Sequence, residues 1–171
     1  MSKGRMVLMG GMGYPLTELP AGMPTFKTKL EAIGLEVLLI SWKQRQDAYN
    51  FMREYTGWRG YAGDSLGAGS AGTYPMDVKG DVEFAGGFQP SMYDARSHDE
   101  VITVASNLKL AHAIYNPSWI ETGGLGISEY RPAPHARTVV INTKHYGPHP
   151  DDWSVTQSWM LAWIKSDLEK K

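Results

Sequence analysis

Trp58-Arg59-Gly60-Tyr61-Ala62-Gly63-Asp64-Ser65-Leu66-Gly67, continued by Ala68-Gly69-Ser70-Ala71-Gly72, is the stretch on which the fold turns. Residues Trp58–Ala62 predict a short strand, Gly63–Gly67 a tight turn, and the small residues after it the opening of a helix. Two similar units precede it. Arg5–Met9 is a short apolar run ended by Gly10-Gly11-Met12-Gly13. An uninterrupted apolar run stopped by glycine reads as a strand buried on both faces of a parallel sheet. A helix is expected from about Pro24 to Ile33, with Phe26, Leu30 and Ile33 on one face and Gly34 as its stop. Leu35–Trp42, centred on Val37-Leu38-Leu39-Ile40, is the second buried strand. Gln44–Tyr55 follows as a helix with Ala48, Phe51, Met52 and Tyr55 on one side.

Downstream, Asp81–Gly86 reads as a fourth strand, Glu100–Leu108 as a helix and Leu110–Tyr115 as a fifth strand. A Gly-rich stretch, Thr122–Gly126, leads to a sixth strand, Arg137–Asn142. The last helix runs from about Asp152 to Leu168, with Val155, Trp159, Met160, Trp163, Ile164 and Leu168 as its apolar stripe. Strands alternating with helices predict an α/β fold. Its mostly parallel sheet has about six strands, with helices on both faces in three layers. No linker or internal repeat divides the chain, so residues 1–171 are expected to form one domain. Ligands of such sheets bind at the carboxyl ends of the strands. The loops at Gly10–Gly13, Gly63–Gly67, Gln89–Asp94, Asn116–Gly126 and Lys144–Asp152 therefore converge on one edge.

Composition narrows the chemistry. The 171 residues carry 17 basic and 18 acidic side chains, a net charge of -1, which gives no electrostatic footprint for nucleic acid. With no cysteine, thiol catalysis, disulfides and Cys-ligated zinc are excluded. No apolar run approaches the ~20 residues of a membrane span. The apolar run Met6–Met9 is too short for a signal peptide, so a cytoplasmic location is expected.

Gly63-x-Ser65-x-Gly67 fits the nucleophile-elbow pattern. A serine there sits on a sharp strand-to-helix turn, and glycines two residues away on either side permit the close packing the turn requires. The helix start behind it offers backbone N–H groups and a partial positive charge to a developing oxyanion.

The order Met6–Gly13, helix, Leu38-Leu39-Ile40-Ser41-Trp42, helix, Gly63-Asp64-Ser65-Leu66-Gly67 resembles the first half of an α/β-hydrolase. The second half resembles the family more loosely. One strand ends near Phe88-Gln89-Pro90, the next near Tyr115-Asn116, and the last leads to a histidine before the terminal helix. The short stretch between Pro90 and Leu110 leaves no room for a large lid, so the likeness is to a small capless esterase-like or cutinase-like member.

That resemblance implies a catalytic triad in the order nucleophile, acid, histidine. Ser65 is the nucleophile, and His145 the preferred base because it lies near the end of the last strand, with His149 as the alternative. For the acid, Glu121 is the candidate and Asp94 the alternative, neither in a recognisable motif. Asn116 or a backbone carbonyl is a further way to hold the imidazole tautomer. Asp64 reads as a poor orienter, because successive side chains on the elbow point apart. The Gly-rich loop after the first strand resembles the family's oxyanion loop, although Met9 stands where the family usually has histidine. The oxyanion donors implied are the N–H groups of Leu66 and of Gly11 or Met12.

The implied reaction is hydrolysis of an ester or thioester through a Ser65 acyl-enzyme. It needs no cofactor and no metal, and its partner is a small-molecule or acyl-chain substrate. Three readings compete. Gly67-Ala68-Gly69-Ser70-Ala71-Gly72 matches the G-x-G-x-x-G dinucleotide fingerprint but lacks a strand running into its first glycine. His145, His149, Asp151 and Asp152 cluster as metal ligands could, although acidic residues there also cap the next helix. Finally, a scaffold without a working acid would be a binding protein, since fold does not imply chemistry.

Overall fold

A computed structural model describes residues 2–11, 22–91, 101–117, 129–146 and 153–170. Its centre is a six-stranded, all-parallel sheet built from β1 (Gly4–Gly10), β2 (Leu35–Ser41), β3 (Trp58–Asp64), β4 (Val82–Phe88), β6 (Leu108–Tyr115) and β8 (Val139–Lys144). The spatial order is β2-β1-β3-β4-β6-β8. Helices α1 (Met23–Ala32), α2 (Arg45–Met52), α3 (Leu66–Thr73) and α4 (Trp153–Leu168) cover the sheet in the three-layer α/β arrangement expected of the sequence.

The apolar run of β1 shows why both faces must be covered. Side chains alternate across a strand. Met6 and Leu8 enter a core with Phe26 and Leu30 of α1 and Met160 and Ile164 of α4. Val7 and Met9 enter the opposite core with Ala48 and Met52 of α2 and Ala71 of α3. All four β1 side chains are fully buried, so none can be polar.

Strand order also fixes where a ligand would enter. From β1 the chain crosses to β2 on one side, and from β3 onward it proceeds through β4 and β6 to β8 on the other. Loops leaving adjacent strands β1 and β3 in opposite directions open a crevice at their carboxyl ends. Gly10, Gly11, Asp64 and Ser65 lie at that point.

Three expectations need correction. The helix expected over Glu100–Leu108 is absent from its described part. Ile102–Thr103 forms a short strand, β5, paired in parallel with β7 (Tyr130–Arg131), and Leu108 already begins β6. Four consecutive β-branched residues, Val101 to Val104, favour extended backbone, and Ile102 and Val104 are buried in the α3-side core. The last strand lies two residues later than expected, at Val139–Lys144 rather than Arg137–Asn142. On α4, Met160 and Ile164 are buried as expected, but Val155 and Trp159 are 40% and 37% exposed. Thr156 and Gln157 take the buried places, and Gln157 bridges to α1 by accepting from Lys29 Nζ at 2.9 Å and donating to Gly22 O at 3.2 Å. Among the described residues, no helix is long and apolar enough to cross a membrane.

Candidate active site

Ser65 occupies the position between β3 and α3 with φ 51° and ψ -118°. A positive φ is uncommon for any residue with a Cβ and costs of order 1–3 kcal/mol. The surrounding packing imposes it. A Cβ on Gly63 would lie 2.5 Å from the Gly67 carbonyl and 2.6 Å from Met9 O. On Gly67 it would lie 2.0 Å from Met9 O, and the clashing atoms are backbone that cannot swing away. The start of α3 is thus pressed directly onto β1, and the chain turns from strand into helix within one residue.

Ser65 is held by the segment that follows β4. Its N–H donates to Phe88 O at 2.9 Å, and its carbonyl accepts from Ser91 N at 3.0 Å. Its hydroxyl lies 3.3 Å from the Ser91 hydroxyl, a contact either oxygen can donate. That segment is itself strained, because Gln89 has φ 56°. Gln89 is fixed to the end of β6: its N–H donates to Ile114 O at 2.7 Å, its Nε2 to Asn116 O at 3.3 Å, and its Oε1 accepts from Asn116 N at 2.8 Å. Two non-glycine residues with positive φ therefore sit at the ends of neighbouring strands beside the crevice, and such strain persists only where the surroundings over-determine it.

The Ser65 carbonyl also accepts from Ala68 N and Gly69 N, at 3.0 and 3.2 Å. The amides of Leu66 and Gly67 precede these and have no intrahelical acceptor, as at any helix start. Facing them, Gly11 packs so tightly that a Cβ would lie 2.9 Å from both Asp64 O and Ser65 Cβ. The Gly11 N–H donates to Asp64 Oδ1 at 2.8 Å. That amide is engaged, which removes it as an oxyanion donor and leaves Met12, outside the described residues, as the candidate from this loop. Burial pushes the Asp64 carboxyl up to about 6, while the Gly11 and Asp64 amides act to lower it.

Comparison with protein-family models, with curated proteins and with solved structures finds no match. The site therefore rests on its own geometry.

Of the expected triad, Ser65 and His145 fall within the described residues, while Glu121, Asp94 and His149 lie outside them. His145 is not beside Ser65. Because β8 extends to Lys144, the His145 N–H continues the ladder, donating to Tyr115 O at 2.8 Å. The row of register partners runs Asp64, Phe88, Ile114, Thr143, so β3 and β8 are three strand spacings apart. At ~4.8 Å each, this is about 14 Å between backbones, too far for a serine–imidazole hydrogen bond of about 2.6–3.2 Å. The His145 ring meets Trp159 of α4 edge-on at 5.5 Å, on the sheet face away from α3.

The competing motifs resolve differently. Gly67–Gly72 lies inside α3 and is buried throughout, so these residues form a packed helix rather than a phosphate-binding loop. Of the proposed metal cluster only His145 is described, and no group of three potential ligands occurs among the described residues. His112 is a packing residue, 4% exposed and stacked between Phe84 at 5.7 Å and Trp163 at 4.2 Å. Burial lowers its pKa to about 4.

Ser91 and Gln89 escaped the sequence reading. Nothing in a lone serine three residues beyond the end of β4 distinguishes it. Asp64, whose side-chain alternation on the elbow makes it a poor orienter of histidine, instead accepts from the Gly11 N–H.

Proposed function

We propose that the protein is a serine hydrolase that cleaves an ester or thioester through a Ser65 acyl-enzyme. The carrying observation is the strained backbone of Ser65, φ 51° and ψ -118°, between β3 and α3 at the topological crevice. A part-buried hydroxyl on a strained backbone, at the start of a helix whose first amides have no intrahelical acceptor, suits nucleophilic attack on a carbonyl. The Leu66 N–H is one oxyanion donor, and Met12 N–H the candidate second.

In the reaction a histidine accepts the Ser65 proton as Oγ attacks the substrate carbonyl. The tetrahedral intermediate collapses, and the leaving alcohol or thiol departs with that proton. Water activated by the same histidine then releases the acid. Of the two candidates we favour His149 over His145, since His145 is held in the β8 ladder about 14 Å from the elbow. Glu121 remains the first candidate for the acid and Asp94 the second. The substrate class is a small-molecule or acyl-chain ester, and the reaction requires no cofactor.

A second reading, a binding protein on the same scaffold, draws on one observation: the described partner of the Ser65 hydroxyl is another hydroxyl, Ser91. A fluorophosphonate probe separates the two. The hydrolase reading expects a covalent adduct on Ser65 by intact mass, absent in Ser65→Ala. It also expects His149→Ala to lose turnover of a small ester by orders of magnitude, and His145→Ala to lose much less. No adduct across a range of pH would favour the binding protein, and the reverse histidine ranking would return the base to His145.

A further inference from the structure

Every polar group of Ser65 is met by the segment Phe88–Ser91, but only one of those contacts reaches the atom that would react. The Ser91 hydroxyl lies 3.3 Å from Ser65 Oγ, and Ser91 is 3% exposed. A buried hydroxyl tends to keep a hydrogen-bond partner, because leaving it without one costs about 1–3 kcal/mol. The Ser91 backbone is fixed independently, since its N–H donates to Ser65 O at 3.0 Å. The hydroxyl is thereby carried to the nucleophile by a segment already anchored through Gln89 to the end of β6.

We propose that Ser91 is a second catalytic hydroxyl, donating a hydrogen bond to Ser65 Oγ as negative charge develops there. The proposal rests on the acyl-enzyme reading of Ser65. At 3.3 Å the resting contact is long for an O–H···O bond, whose usual range is about 2.5–3.0 Å. It strengthens when the acceptor becomes charged. During acylation the histidine takes the Ser65 proton, the Oγ–C bond forms and the carbonyl pair moves to oxygen, while Ser91 keeps its own proton. Once Oγ is an ester oxygen it is a poor acceptor and the bond weakens. In deacylation Oγ is the leaving group, charge returns to it, and Ser91 donates again until the histidine reprotonates Ser65. The contribution is thus greater in both transition states than in either ground state, as catalysis demands.

The test uses the purified full chain, a fluorophosphonate probe and a p-nitrophenyl ester. Ser91→Ala is expected to lower the Ser65 labelling rate and kcat by about 10- to 100-fold, with KM changed little. This is less than the loss of a full oxyanion donor, because a neutral hydroxyl at this distance is a weaker group. Ser91→Thr, which restores the hydroxyl, is expected to recover most of the rate, with melting temperatures measured for both variants. Wild-type rates in Ser91→Ala would overturn the proposal, as would a rise in KM at constant kcat, which marks a substrate contact. Equal losses in Ala and Thr variants accompanied by lower melting temperatures would reduce Ser91 to packing. If wild-type Ser65 is not labelled at all, the acyl-enzyme reading fails and this proposal falls with it.

Discussion

Replacing Ser65 by glycine is expected to leave a more stable protein than replacing it by alanine, with both variants losing the proposed acyl transfer. The native φ of 51° costs a residue with a Cβ about 1–3 kcal/mol, and glycine adopts it freely. Two terms oppose the gain. Glycine has more freedom in the unfolded chain, worth about 0.4–1 kcal/mol. Loss of the hydroxyl contact leaves the buried Ser91 hydroxyl without this partner, at a cost of about 1–3 kcal/mol. That last cost falls on alanine and glycine alike, so the middle of the first two ranges puts Ser65→Gly about 1.3 kcal/mol above Ser65→Ala. Ser65→Ala keeps the strain and loses the contact, so it falls below wild type by about 1–3 kcal/mol. For a domain of this size each kcal/mol moves Tm by about 2–4 °C, so the glycine variant should melt about 3–5 °C above the alanine variant. Thermal unfolding followed by circular dichroism measures both, and neither should react with the probe. Glycine melting at or below alanine would mean that the elbow stores no strain, and the main support for a nucleophile at this position would go.

Gly67→Ala should cost about 3 kcal/mol or more, because its Cβ would meet Met9 O at 2.0 Å and only a backbone shift relieves it. Gly72→Ala, whose nearest contacts are side-chain atoms at 3.1–3.4 Å, is the mild control, and equal urea midpoints for the two would contradict the tight packing of α3 on β1. Asp64 gives a pH signature. Its carboxyl is raised to about 6 in the folded protein against about 3.9 unfolded, so the native state binds the extra proton between those values. Stability from this group therefore falls as pH rises from about 4 to 6, by up to roughly 3 kcal/mol as an upper bound. Asp64→Asn retains an Oδ1 acceptor for Gly11 but cannot ionise, so its Tm relative to wild type should climb over that interval and level off above it. A pH-independent difference would show that the carboxyl is not raised.

The sequence determined the layered α/β architecture by itself. Runs such as Met6–Met9 and Val37–Ile40 are apolar at every position, which only a strand covered on both faces tolerates, and the helices between them supply the cover. It also determined that Ser65 stands on a sharp turn from strand into helix. The glycines two positions before and after are local requirements of one turn, and local requirements are written in neighbouring residues. Where neighbours did not decide, the tertiary structure did. Ile102–Thr103 is a strand because a β7 partner and, for Ile102, a core position lie beside it, neither of which sequence distance reveals. Trp159 faces outward on α4 while Gln157 is fully buried, because the helix is turned by what it meets on α1 and the sheet, not by its own polarity. His145 looked close to Ser65 when only its distance from the strand end could be counted. The order β3-β4-β6-β8 inserts two strands between them, and the sideways spacing of a sheet is set by pairing that no local stretch encodes. Ser91, 26 residues from Ser65 along the chain, is beside it for the same reason.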